Sequence, residues 1–301
     1  MPAQIHGEPV LGEAAYGRPA QGRETLRRAP CRSLTEGEAW TMEQLELLRH
    51  VRFSPAGVVR FLSASRRRAG EVRGRRPALR RQSRSWLAVG AAAWVLPAGA
   101  GAQPFRRHAP AGLAWWALVA LMLDWHLGMV ETEDGSPRPL GAADALTLAR
   151  VWLAPVALAC PTPLVCAAGF ATDALDGPVA RAGEPTRAGR DLEGLADACF
   201  AGGVLMGLRR SERLGRTASG AELLRLTFGF SYSVAVYFGR ARPPDRHLTQ
   251  AARLTTPMRA GGLIAAAAGR PRLGTALVGI GCAWSAALLG AALQDGASRT
   301  A

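Results

Sequence analysis

The sequence predicts an all-α integral membrane protein, on three observations. From Trp86 onward, long apolar runs alternate with short polar ones, the pattern of repeated bilayer crossings. The formal net charge of +14 is supplied entirely by arginine, and many of those arginines crowd just before the first apolar run, as in segments retained on the cytoplasmic side. Finally, six carboxylates stand within residues 173–197, between apolar runs, where each buried charge costs several kcal/mol and so calls for a partner.

Taken in order, residues 1–40 carry Gly, Pro and charge without periodicity and read as disordered. The first thirty lack an apolar core followed by a cleavage site. Residues 41–84 form an amphipathic, basic region assigned to the cytoplasm. Here "TMEQLELLRHVRF" opens with Thr41 and Gln44 at capping-box spacing and sets Leu45, Leu48 and Val51 on one helical face. Ser54 before Pro55 starts a second helix, with Val58, Val59, Phe61 and Leu62 ahead of "SRRRAGEVRGRRPALRRQSR". Basic residues beside apolar ones suit a helix on an anionic leaflet, and equally a solvated tail that fixes topology. The run lacks interleaved aromatics and directly precedes a span, so anionic membrane lipid is the expected partner and nucleic acid is not.

Two spans are predicted within residues 85–130, at 86–102 and 110–130, followed by the acidic loop "ETEDGSPRPLGAA". Six more follow within residues 140–293, near 144–160, 162–181, 187–209, 219–239, 257–270 and 273–293, leaving 294–301 as a tail. The arginines before the first span place the N-terminus in the cytoplasm, and loop 240–259 agrees, whereas Arg209, Arg210, Arg213 and Arg216 run against this orientation. The five cysteines are odd in number and lack metal-site spacing, so they read mainly as small hydrophobes.

The charged stretch "DALDGPVARAGEPTRAGRDLEGLAD" holds Arg181, Arg187 and Arg190 beside its six carboxylates. Asp173 and Asp176 share one helical face; Gly189, Glu193 and Asp197 form a stripe on the next helix, and the connection "ARAGEPTRA" can set the two against each other. Asp191 falls off the stripe and Glu184 lies in the loop, so both are expected in solvent. Four converging carboxylates repel unless a cation joins them, and an all-oxygen set suits Mg²⁺ or Mn²⁺, ions that also bind phosphates. Gly177 and Gly189 remove side chains where a ligand or the facing helix must approach.

At these residues the stretch resembles the CDP-alcohol phosphatidyltransferase signature, D-x2-D-G-x2-A-R-x8-G-x3-D-x3-D. Asp173, Asp176, Gly177, Ala180, Arg181, Gly189 and Asp197 match in type and order. Seven residues rather than eight separate Arg181 from Gly189, and Glu193 stands where the family has its third aspartate. Upstream, "DALTLARVWLAP" at 144–155 is similar to the family's N-x-L-T-x-x-R-x4-P helix start, with Asp144 in place of Asn. The resemblance covers roughly residues 140–293.

It implies a six-helix membrane core, here preceded by two extra transmembrane helices. The implied reaction is transfer of a phosphatidyl group from a CDP-linked lipid, such as CDP-diacylglycerol, to a polar alcohol, with release of CMP. Asp173, Asp176, Glu193 and Asp197 would be metal ligands, and Asp197 also the general base. Gly177, Ala180, Arg181 and Gly189 would line the CDP pocket. Arg150 and Arg259 are candidate contacts to an acceptor or phosphate and equally candidate interfacial anchors; Arg225 reads rather as an anchor. The resemblance also implies a homodimer in a bacterial plasma membrane, its site open to the cytoplasm. Two other functions fit parts of the sequence. One is an inactive relative that binds lipid or a partner, suggested by Glu193 and the short loop. The other is a membrane prenyltransferase, which normally needs two Asp-rich motifs where this chain has one.

Overall fold

The computed structural model describes residues 34–298 apart from 133, 184, 185, 241–249, 251 and 252. Among these residues the regular structure is helical, α apart from a 3-10 turn at Leu127–Met129, with a single isolated bridge between Glu131 and Pro137 and no β-strand. The helices are α1 (Glu36–His50), α2 (Pro55–Arg75), α3 (Pro77–Gly99), α4 (Phe105–His126), α5 (Ala142–Ala159), α6 (Pro163–Ala182), α7 (Arg187–Arg210), α8 (Arg216–Arg240), α9 (Thr256–Ala267) and α10 (Pro271–Ser298).

The N-terminal boundary moves. α1 begins inside the stretch expected to be disordered, and its capping box is Thr35 with Glu38: the Thr35 hydroxyl accepts from Glu38 N at 3.2 Å, and Thr35 N donates to Glu38 Oε2 at 3.0 Å. Thr41, the expected cap, instead donates to Gly37 O at 2.8 Å within the helix. Both pairs have the same spacing; the earlier one wins because Glu36 and Glu38 also suit the positive end of the helix. The second start agrees with expectation, since Pro55 opens α2 and Ser54 Oγ accepts from Gly57 N. At the far end, α10 runs to Ser298, so most of the expected tail is helical.

Three stretches are long and apolar enough to cross a membrane: Phe105–Met129, Ala142–Ala159 and Pro271–Ala291. About a third of each or less is buried inside the protein, so much of their surface is turned outward, as lipid contact requires. The other five helices of the expected eight are present at the expected places but do not meet that criterion. α9 spans 12 residues, only about 18 Å of helix, while α3, α6, α7 and α8 carry charged residues.

Much of the arginine-rich segment serves the fold itself. Arg76 donates to three carbonyls, Leu127 O at 3.3 Å and Val130 O and Arg138 O at 2.8 Å, tying the α2–α3 junction to the segment after α4. Arg73 pairs with Asp124, and Arg68 lies over the Trp40 ring, 5.0 Å from its centre, and pairs with Glu36. Arg213, one of the arginines that opposed the expected topology, donates to Ala267 O at 3.1 Å and so caps the C-terminus of α9.

α5 packs against α7 more extensively than any other pair. Gly203 and Gly207, four residues apart on α7, face Ala154 O and Ala157 O of α5, with no room there for a Cβ. This close approach fixes α7 beside α5. Tryptophans attach the two preceding helices to the same unit: Trp115 of α4 donates to Val151 O of α5, and Trp152 of α5 donates to Gly90 O of α3, each at 2.9 Å.

Candidate metal centre

The site is built where α5, α6 and α7 meet. Asp173, Glu193 and Asp197 each offer a carboxylate oxygen, and these oxygens lie within 4.8 Å of one another. Their side chains are partly exposed, at 30%, 27% and 39%. Three of the four expected carboxylates therefore face each other across α6 and α7, an all-oxygen set of the kind that holds a metal ion.

Asp176 differs from expectation. It turns into the protein, where its Oδ2 accepts from Thr147 Oγ1 at 3.0 Å and Arg150 Nη2 at 3.2 Å. Three residues from Asp173 on the same helix, it shares that face but lies deeper, against α5. Arg150 is the hub. Its side chain is 1% exposed, pairs with Asp197, faces Asp173 Oδ1 at 3.6 Å, and donates Nε to Thr172 Oγ1 at 3.3 Å. Such burial excludes the expected roles of interfacial anchor and free phosphate contact. One guanidinium faces three aspartates, which lets them approach each other while carboxylate remains in excess.

The first turn of α7 is fixed by a second polar chain. Thr186 Oγ1 accepts from Gly189 N at 2.9 Å and donates to Asp144 Oδ1 at 2.8 Å, and Asp144 Oδ2 accepts from Gly141 N at 2.7 Å. A Cβ on Gly189 would lie 3.0 Å from the Thr186 hydroxyl and 3.3 Å from Asp144 Oδ1. The absent side chain thus makes room for Thr186 and for Asp144 of the facing helix α5. Arg181 is exposed, Ala180 is half-buried, and a Cβ on Gly177 would lie 3.2 Å from Arg181 Nη1. Glu184 lies outside the described residues, as does the side chain of Asp191.

Arg259 also departs from expectation. It is buried and belongs to a second ionic cluster among α8, α9 and α10, centred on Glu222, whose side chain is 1% exposed. Glu222 accepts from Arg259 Nη1 at 2.6 Å, from Arg225 Nε and Nη2 at 3.0 and 2.8 Å, and from Cys282 Sγ at 3.2 Å. Arg259 is completed by the hydroxyls of Thr255 and Thr256. Arg225, expected as an anchor, is drawn to the same carboxylate.

Glu222 and Arg253 were not predicted. A lone carboxylate inside the apolar run "AELLRLTF", three residues from Arg225, was the available signal for Glu222. Arg253, 3.6 Å from Glu193 Oε1, is one of several loop arginines and had no distinguishing signal. The four described cysteines, Cys160, Cys166, Cys199 and Cys282, are free thiols. No known protein-family profile, characterised protein or solved structure matches the chain.

Proposed function

We propose that the chain is a metal-dependent CDP-alcohol phosphatidyltransferase. It would move the phosphatidyl group of a CDP-linked lipid, CDP-diacylglycerol in the simplest case, to a polar alcohol and release CMP. The observation that carries this reading is the gathering of Asp173, Glu193 and Asp197 of the motif D-x2-D-G-x2-A-R-x7-G-x3-E-x3-D around Arg150 of "DALTLAR". In this proposal, α5 to α10 are the six-helix core and α3 and α4 are two extra crossings. The N-terminus and the site face the cytoplasm of a bacterial cell.

Asp173, Glu193 and Asp197 would hold Mg²⁺ or Mn²⁺. When bound, the ion supplies charge neutralisation at the pyrophosphate and at the departing CMP. The remaining work falls to the chain. Asp197, partly exposed, takes the proton of the acceptor hydroxyl as its oxygen attacks the lipid-bearing phosphorus. The new O–P bond forms as the bond to the bridging oxygen breaks, and CMP leaves with that oxygen and its electron pair. Arg150 and Asp176 hold Asp173 and Asp197 in place from behind. Arg181, exposed beside Gly177, is free to meet a phosphate.

One observation favours the inactive relative as a second reading. Glu193, the departure from the family pattern, faces Arg253, a cation already beside it. The test is CMP release from CDP-diacylglycerol by purified protein with a panel of alcohols, with and without Mg²⁺ or Mn²⁺, beside Asp197→Asn. Metal-dependent release with one alcohol, lost in the variant, supports the enzyme and names its acceptor. A folded protein that binds the lipid but releases no CMP with any alcohol sinks it in favour of the second reading.

A further inference from the structure

Arg187 opens α7 and is only 4% exposed. A cation at this end has the wrong sign for the helix dipole, so helix stability does not explain it. Its contacts lead away from the α5–α7 unit. Nη1 pairs with Glu131 and donates to Thr35 Oγ1 at 3.0 Å, Nε faces Glu38 Oε1 at 3.4 Å, and the backbone N donates to Glu131 O at 3.0 Å. Thr35 donates in turn to Glu131 Oε1 at 3.2 Å, closing the group.

Thr35 and Glu38 are the capping box of α1, so the start of one helix is locked to the start of another. The approach is close: a Cβ on Gly37 would lie 2.9 Å from Arg187 Nη1 and 3.3 Å from Glu131 Oε1. At the other end of α1, Arg49 Nη1 donates to Gly239 O at 3.3 Å, in the last turn of α8. α1 therefore bridges the beginning of α7 and the end of α8. Glu193 and Asp197 follow Arg187 on the same continuous helix, whose first turn is held from the α5 side by Asp144 and Thr186.

We propose that Arg187 is a positioning residue through which α1 fixes the rotation and depth of α7, and so the place of Glu193 and Asp197 opposite Asp173. Residues 35–38 then belong to the working unit, although they lie outside the motif-bearing core. As far as the metal is concerned, this inference rests on the function proposed above. The lock itself does not.

The experiment uses the full chain in lipid nanodiscs. Amide exchange across residues 187–197 and Mn²⁺ affinity by paramagnetic resonance are read for wild type, Arg187→Gln and Arg187→Lys. Val204→Ala, a core change farther along α7, is the control for general destabilisation. Arg187→Gln is expected to speed exchange in this segment and weaken Mn²⁺ roughly tenfold, the scale seen when groups behind metal ligands are removed. Lys keeps the charge but not the fork and should recover part of both. Val204→Ala should lower the melting temperature without moving Mn²⁺ affinity. Should Arg187→Gln fail to fold, Thr35→Val and Gly37→Leu disturb the same lock from α1 and must give the same two changes. Unchanged exchange and affinity in the folded variants overturn the proposal, as does an equal Mn²⁺ loss in Val204→Ala. If wild type binds no Mn²⁺, the metal reading fails, and faster exchange in Arg187→Gln still decides the lock.

Discussion

Two ionic clusters of this protein, one around Arg150 and one around Glu222, differ in charge balance and in access. Around Arg150, three aspartates and the nearby Glu193 outnumber one buried guanidinium, and Asp173, Glu193 and Asp197 are about a third exposed while Asp176 is buried. Around Glu222, two arginines share a single carboxylate that is 1% exposed, with Thr255, Thr256 and Cys282 completing the hydrogen bonds. A cluster centred on a buried carboxylate whose oxygens are taken up by hydrogen bonds acts inward, joining α8, α9 and α10. An open one with charge to spare has capacity for something that comes from outside. This is why the proposed chemistry is assigned to the first cluster and a structural role to the second.

The sharpest way to break that division is to remove one carboxylate from each cluster. Asp197→Asn should leave the fold intact and cut metal-dependent CMP release by about 10²–10⁴-fold, the range for loss of a general base. Glu222→Gln should do the reverse. It strands Arg259 in the interior and leaves half-buried Arg225 without its carboxylate, and should cost about 3–5 kcal/mol of stability, read as a large fall in melting temperature. Surviving folded Glu222→Gln protein should keep Mn²⁺ affinity near wild type. If Glu222→Gln abolished Mn²⁺ binding with little loss of stability, the roles assigned to the two clusters would be wrong.

Arg150→Met tests the hub with a smaller expected effect. Asp173, Asp176 and Asp197 lose their shared cation, but two of the three reach solvent, so the loss should be about 1–3 kcal/mol. Added Mg²⁺ then replaces the missing charge. The variant's melting temperature should therefore rise more with Mg²⁺ than that of wild type, because a ligand bound only by the folded state stabilises it. Equal shifts in the two proteins would mean that Arg150 and the ion do not act on the same carboxylates.

Much of this arrangement was legible in the sequence, and the misses have physical causes. Four-residue spacing put Gly189, Glu193 and Asp197 on one stripe because a helix repeats every 3.6 residues. What spacing does not convey is depth. Asp173 and Asp176 share a face, yet Asp176 points to Thr147 and Arg150, a choice made by α5 and invisible within α6. The same limit hid Arg150, Arg225 and Arg259, which looked like cations available to phosphate or lipid until their acidic partners on other helices came into view. Helix positions were read from apolar runs, but three meet the length and hydropathy needed to cross a membrane. In α6 and α7, the charges that make the site also dilute the signal. The start of α1 was misplaced because Thr35/Glu38 and Thr41/Gln44 offer the same capping pattern, and tertiary contacts with Glu131 and Arg187 favour the first.

The smallest effect bears most directly on whether the open cluster is truly open. Arg253 is 70% exposed and stands 3.6 Å from Glu193, so the pair is worth only about 0.2–1 kcal/mol. A bound divalent cation would compete with Arg253 for that carboxylate, so Arg253→Gln should raise Mn²⁺ affinity, by no more than about fivefold. Salt screens exposed charges, so the gain should shrink when Mn²⁺ titrations are repeated at high ionic strength. A fall in affinity would carry a different lesson: Arg253 would then help organise Glu193 for the ion, and the open cluster would include the α8–α9 connection as well as α5, α6 and α7.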